Sequence, residues 1–215
     1  MGWYGISLGA NALYLEGSGT LGIVGESEDF PQQGIWAKKV TIDGIVLSIN
    51  SSASSIYAEA DYGVTVEDGD ETIHIINGAE LELVSNQDTP ISAQQGIRID
   101  GSTVTATTND DSHQALYTYE GGIKINNSTV KAYAESSSSA AVRAGVSSVE
   151  ITGDSDVTAT GLYGIYAYSD ISISGGKVTA TGTDGNGSIG ISSNMGKVVI
   201  TGGEVTAAGG DTTGS

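Results

Sequence analysis

The stretch Tyr163-Gly164-Ile165-Tyr166-Ala167-Tyr168-Ser169-Asp170-Ile171-Ser172-Ile173-Ser174-Gly175-Gly176-Lys177-Val178-Thr179-Ala180-Thr181-Gly182 holds three short alternating runs. The first, from Ile165, reads apolar–x–small–x. The second is Ile171-Ser172-Ile173 and the third is Val178-Thr179-Ala180. Alternation with period two, broken by Gly and Asn, is the pattern of short β-strands with one buried side. Working outward, the same three runs return in the same order. The first recurs at 35–38, 56–59, 91–94, 116–119, 142–145 and 191–194, with 6–9 reading as an earliest copy. The second recurs at 13–15, 40–42, 97–99, 123–125, 149–151 and 198–200. The third recurs at 21–23, 47–49, 81–83, 104–106, 130–132, 157–159 and 205–207.

A fixed order of short strands at a repeat of 22 to 27 residues in the later copies is the signature of a solenoid rather than a sandwich of hairpins. The turn between the second and third runs supports the register. Two residues after the last apolar position stand Gly17, Gly44, Gly101, Gly153, Gly175 and Gly202, and in one copy Asn127. Gly, and next Asn, are the residues that tolerate φ > 0 in a tight turn. The expectation is an all-β chain folded as a single right-handed parallel β-helix of about eight three-stranded coils over residues 1–208. Stacked about 4.8 Å apart, these coils make a rod roughly 35 Å long. One irregular copy with an insertion lies near 61–78, where either 64–66 or 73–75 is the second strand. Residues 209–215 read as a flexible tail or the start of a truncated next repeat.

Composition narrows the partners. The chain carries 26 Asp plus Glu against 8 Lys plus Arg, a formal charge of −18. Such a surface repels phosphate backbones and anionic lipid, so nucleic acid and membranes are poor partners. No apolar run approaches the roughly 18 residues that cross a bilayer, so no membrane insertion is expected. With no Cys there is neither a disulfide framework nor a thiolate metal site. No leader is evident before the first strand, since Met1-Gly2-Trp3 runs straight into it.

Stacking the first strands places one outward column along the rod: Trp36, Tyr57, Ser92, Tyr117, Arg143, Tyr166 and Ser192. Two residues on, a second column holds Lys38, Glu59, Gln94, Tyr119, Gly145, Tyr168 and Asn194. The expected ligand-binding residues are Trp36, Tyr57, Tyr117, Tyr119, Arg143, Tyr166 and Tyr168, because an aromatic face of this kind docks the CH faces of sugar rings. The alternative is that these aromatics only stack on one another to stabilise the sheet. The acidic loops before this face meet along one edge. Asp110, Asp111, Asp184 and Asn186 are therefore candidate calcium ligands through oxygen, and solvated acidic loops are the alternative. The segment 67–71 is a second acidic candidate. His74 and His113, the two histidines, form no metal spacing.

The copies at 163–182 and 199–207 resemble the "ITISGGTVTATG" repeats of large surface proteins from Gram-positive gut and soil bacteria. They are also similar to the clostridial carbohydrate-binding β-helix family, which binds plant cell-wall polysaccharides and shares its fold with pectate lyases. The resemblance covers most of residues 35–208. It implies a secreted or bacterial cell-surface setting and a non-catalytic module that binds polysaccharide, of plant cell-wall or host origin. No cofactor is required, and calcium is the one candidate. A structural stalk or adhesin repeat that binds a protein receptor, and a pectate-lyase-like polysaccharide lyase using Arg143, are the alternatives. No catalytic motif of the family maps onto a position of this chain.

Overall fold

The computed structural model describes residues 3–25, 32–59, 71–134, 139–183 and 187–210. The alternating runs are strands, and each pairs in parallel with its equivalent one coil away. The first sheet collects the front halves of β1 (Trp3–Glu16) and β3 (Gln32–Asp43) with β5 (Ile56–Ala58), β8 (Ile91–Ala93), β11 (Leu116–Thr118), β14 (Ala140–Ala144), β17 (Tyr163–Ala167) and β19 (Ile189–Ser193). The second sheet takes the back halves of β1 and β3, then β6 (Ile73–Ile76), β9 (Ile97–Asp100), β12 (Ile123–Asn126), β15 (Val149–Thr152), and the front halves of β18 (Ile171–Gly182) and β20 (Val198–Ala208). The third sheet is β2 (Thr20–Gly25), β4 (Val46–Ser51), β7 (Glu80–Ser85), β10 (Thr103–Thr108), β13 (Thr129–Ala134), β16 (Asp156–Gly161) and the back halves of β18 and β20.

On the second sheet, Leu13, Val40, Ile73, Ile97, Ile123, Val149, Ile171 and Val198 stand in one column. Seven pairing steps join these eight positions, so the chain is a parallel β-solenoid of about seven turns. Inward residues from all three sheets make one core of Ile, Leu, Val and Ala. The third sheet narrows along the rod. Its inner column runs Ile49, Leu83, Ala106, Ala132, Ala159 and Ala180. The corner after it also shrinks, from Ser51, Ser85 and Thr108 to Ala134, Gly161 and Gly182. At Gly182 an added Cβ would lie 2.8 Å from the Ile189 amide nitrogen, so the tight corner there admits only hydrogen.

The structure resolves the irregular copy. Ile73–Ile76 is its second strand, in register with Val40 to Asp43 and with Ile97 to Asp100. The other option, 64–66, lies outside the described residues. The turn that follows holds Asn77 at φ 58° and Gly78 at φ 80°, so Asn77 fills the left-handed position that Asn127 fills at φ 47°. The glycine rule needs one correction. In the last two coils the positive φ falls on Gly176 and Gly203, one residue later than Gly175 and Gly202. There β18 and β20 run on through the corner with a register shift, and Gly175 packs with its Cβ position 2.6 Å from the Gly153 carbonyl. A Gly-Gly pair thus serves one residue for close approach and the other for the turn.

Candidate functional site

The first sheet builds the site from very short strands. β5, β8 and β11 each point their middle residue outward between two buried ones. In β14 and β17 the outward positions are Arg143 and Tyr166, flanked by the buried pairs Val142 and Ala144 and Ile165 and Ala167. The registers place Trp36, Tyr57, Ser92, Tyr117, Arg143, Tyr166 and Ser192 in one continuous column. Ser92 divides it. Trp36 and Tyr57 lie on one side of the gap and Tyr117, Arg143 and Tyr166 on the other.

In the second group the Arg143 guanidinium carbon lies 5.8 Å from the Tyr117 ring centre and 5.5 Å from that of Tyr166. Both contacts lie within cation–π range. Arg143 Nε is buried and has no hydrogen-bond acceptor among the described residues. Tyr163 tilts against Tyr166 at 5.6 Å, and with Ala140, Arg143 and Tyr166 it lines an open hollow of about 190 Å³. Tyr119 meets Tyr117 edge-on at 6.3 Å.

The second column is less uniform than the sequence suggests. Tyr119 and Tyr168 are exposed, at 48% and 41%. Gly145 stands between them, where an added Cβ would be 2.7 Å from the Tyr119 carbonyl oxygen. Gln94 is buried, so it contributes nothing to an outward surface. In the first group Trp36 Nε1 donates to Glu59 Oε2 at 3.2 Å, and Tyr4 stacks on Trp36 at 5.1 Å. Tyr4 extends that group and was not expected. Its signal was its place two residues before Ile6, the inward anchor of the first coil.

The acidic edge is organised differently from a calcium loop. Asp110 Oδ1 accepts from the Ser112 amide at 2.7 Å and lies 2.6 Å from His113 Nδ1. His113 Nε2 lies 3.7 Å from Asp88 of the preceding coil. Partial burial pulls the Asp110 carboxyl upward, but the Ser112 amide and His113 outweigh it and leave its pKa lowered. Among the described residues no group of three or more His, Asp or Glu is arranged to hold a metal ion. Asp111 stands beside Asp110 in the same loop, while Asp184 and Asn186 lie outside the described residues.

A second polar cluster went unread in the sequence. Glu71, the last residue of the acidic segment 67–71, is buried at the corner before β6. Its carboxylate lies 3.1 Å from Lys124 Nζ and 3.3 Å from His74 Nε2. Burial, foremost, and the nearby Lys39 hold the His74 imidazole below its usual pKa, against the upward pull of Glu71. Beside it, Arg98 donates to Asp100 at 3.0 Å, and that bond holds Asp100 below the usual carboxylate range. His74, Arg98 and Lys124 are stacked neighbours on the second sheet, a proximity that only the coil register reveals.

No protein-family model, no curated protein and no solved structure matches this chain. No helix among the described residues is long and apolar enough to cross a membrane.

Proposed function

We propose that this chain is a non-catalytic module, working outside the cell, that binds polysaccharide on the first sheet. The observation that carries the reading is the Tyr117–Arg143–Tyr166 stack beside the hollow lined by Tyr163. Rings held in fixed planes offer flat faces to pyranose CH groups, and a guanidinium between them offers donors to hydroxyl oxygens. The side chains are carried on strands anchored in the core, so little ordering entropy is lost on binding. In this reading the coil winds right-handed, as parallel crossovers do. Trp36 and Tyr57 form an outlying part of the same surface, and Tyr119 and Tyr168 its rim.

The test is affinity electrophoresis through gels containing neutral or acidic polysaccharides, with calcium and with chelator. Retardation by at least one glycan is expected, and a Tyr117→Ala/Tyr166→Ala variant should lose it while keeping its far-UV spectrum. Chelator sensitivity would bring the loop of Asp110 and Asp111 into the site through calcium. Migration unchanged in every glycan would overturn the reading in favour of a stalk or a protein-binding adhesin repeat, which the coil-on-coil parallel stacking of the rod also suits.

A further inference from the structure

The outward column of the first sheet writes one frame twice. In the later coils Tyr117, Arg143 and Tyr166 follow one another, with the Arg143 guanidinium carbon 5.8 Å and 5.5 Å from the two ring centres. Just before it the order is Tyr57, Ser92, Tyr117. In both frames the tyrosines stand on strands two coils apart, roughly 9.6 Å at the usual spacing of paired strands. In both, the middle residue points outward between two buried neighbours. Only the middle side chain differs. Arginine carries a planar cation out to the level of the rings. Serine ends one atom beyond Cβ and does not reach that level. The chain thus shows what rests between two tyrosines at this separation, and Ser92 itself supplies no such group.

The charges around this interval favour a cation. Beyond the strands, Glu59 is exposed two residues after Tyr57, and the Glu120 amide donates to the Gln94 carbonyl oxygen at 2.8 Å, which sets Glu120 next to the coil of Ser92. Before the strands, Asp88 leads into β8, and Asp110 and Asp111 lead into β11. Against these acids, His113 lies between Asp88 and Asp110, and Lys38 stands one coil further from Ser92 than Glu59 does. The formal charge of −18 draws cationic partners from a distance. We propose that the interval between Tyr57 and Tyr117, with Ser92 as its floor, binds the guanidinium group of an arginine on a protein partner. Two tyrosine rings attract the cation through their faces, and the carboxylates at either end steer its approach. Arginine suits the place better than lysine because a planar guanidinium stacks on aromatic rings. It suits it better than a sugar ring because the matching frame already holds a guanidinium. This adds a second class of partner beside the glycan surface and does not depend on glycan binding.

The test is a titration with the end-blocked peptide Gly-Arg-Gly, followed by the tyrosine ring signals in NMR spectra, with Gly-Gln-Gly and Gly-Lys-Gly as comparisons. The arginine peptide should saturate the shifts, the lysine peptide should bind more weakly, and the glutamine peptide should not bind. Tyr57→Leu should weaken the arginine peptide by roughly fivefold or more, the share of one ring face. Ser92→Arg is the sharper variant. It places the chain's own guanidinium between Tyr57 and Tyr117, as Arg143 is placed in the next frame, and should abolish saturable binding. Ser92 points outward, so the fold is retained, and circular dichroism checks it. Equal response to the arginine and glutamine peptides overturns the proposal. So does undiminished binding in Ser92→Arg, because the peptide then sits elsewhere. Saturation by a neutral oligosaccharide in place of the arginine peptide, lost in Ser92→Arg, also overturns it by giving the interval to a sugar ring, and leaves the glycan reading standing.

Discussion

Ile99 and Ile200 occupy the same inward position of the second sheet, four coils apart along the rod order Ile99, Ile125, Ile151, Ile173, Ile200. Ile99 has 0% of its surface exposed and Ile200 has 51%. The residue and its inward position are the same, but Ile99 is paired with a coil on each side and Ile200 with a coil on one side only among the described residues. In a solenoid each repeat buries its apolar side against its neighbours. The energy of a repeat therefore belongs to the interface between coils more than to the coil itself.

Substitution in the two places should separate these contributions. Ile99→Ala removes packed methylenes from a closed interior and should cost about 2–5 kcal/mol in urea unfolding. Ile200→Ala, measured at low protein concentration, should cost under about 1 kcal/mol. Equal losses would mean that the terminal coil is as well packed as the middle ones.

Backbone geometry gives the next largest contrast. Gly101 sits at φ 60° with open space around its Cβ position, so Gly101→Val is penalised by conformation alone, by about 1–2 kcal/mol. Gly22, on an outward strand position of the first coil, also has open space and no positive φ. Gly22→Val should be neutral or stabilising by up to about 1 kcal/mol, since Val suits a strand and limits the unfolded chain. Thermal melts of the two variants, read side by side, check this.

The smallest effect is one of pH and lies in the interior coils. His74 has a folded pKa below its unfolded value near 6.5. The stability it contributes is present above about pH 6.5 and is lost as pH falls toward the folded pKa, because the unfolded state takes up the proton first. Asp100 and Asp110, both lowered, contribute stability that is present above about pH 4 and is lost as pH falls further. Urea midpoints measured from pH 7 to pH 5 should therefore decline, and His74→Gln should flatten that part of the profile. An identical slope in the variant would remove His74 from the account.

Much of this was legible beforehand because period-two alternation states which side of a strand is buried, and a fixed repeat states which strands are neighbours. The column from Trp36 to Ser192 followed from those two rules. Gln94 did not, because a polar residue at a nominally outward position is buried. Glu71 did not either. Its segment is acidic and reads as a solvated loop, yet burial beside Lys124 and His74 depends on residues 53 and 3 positions away in sequence. The shift from Gly175 to Gly176 was hidden because two adjacent glycines satisfy the same rule.

By itself, then, the sequence determined the strands, the inward columns and the order of side chains along each outward face, since these depend only on alternation and on Gly or Asn at positive φ. Tertiary structure alone decided the rest. It set the distances that place Arg143 between two Tyr rings, the ion cluster around Glu71, the placement of Tyr4 on Trp36, and the exposure of apolar residues at the ends. Those depend on corner geometry and on the presence or absence of a stacked neighbour, and neither is encoded in a single repeat.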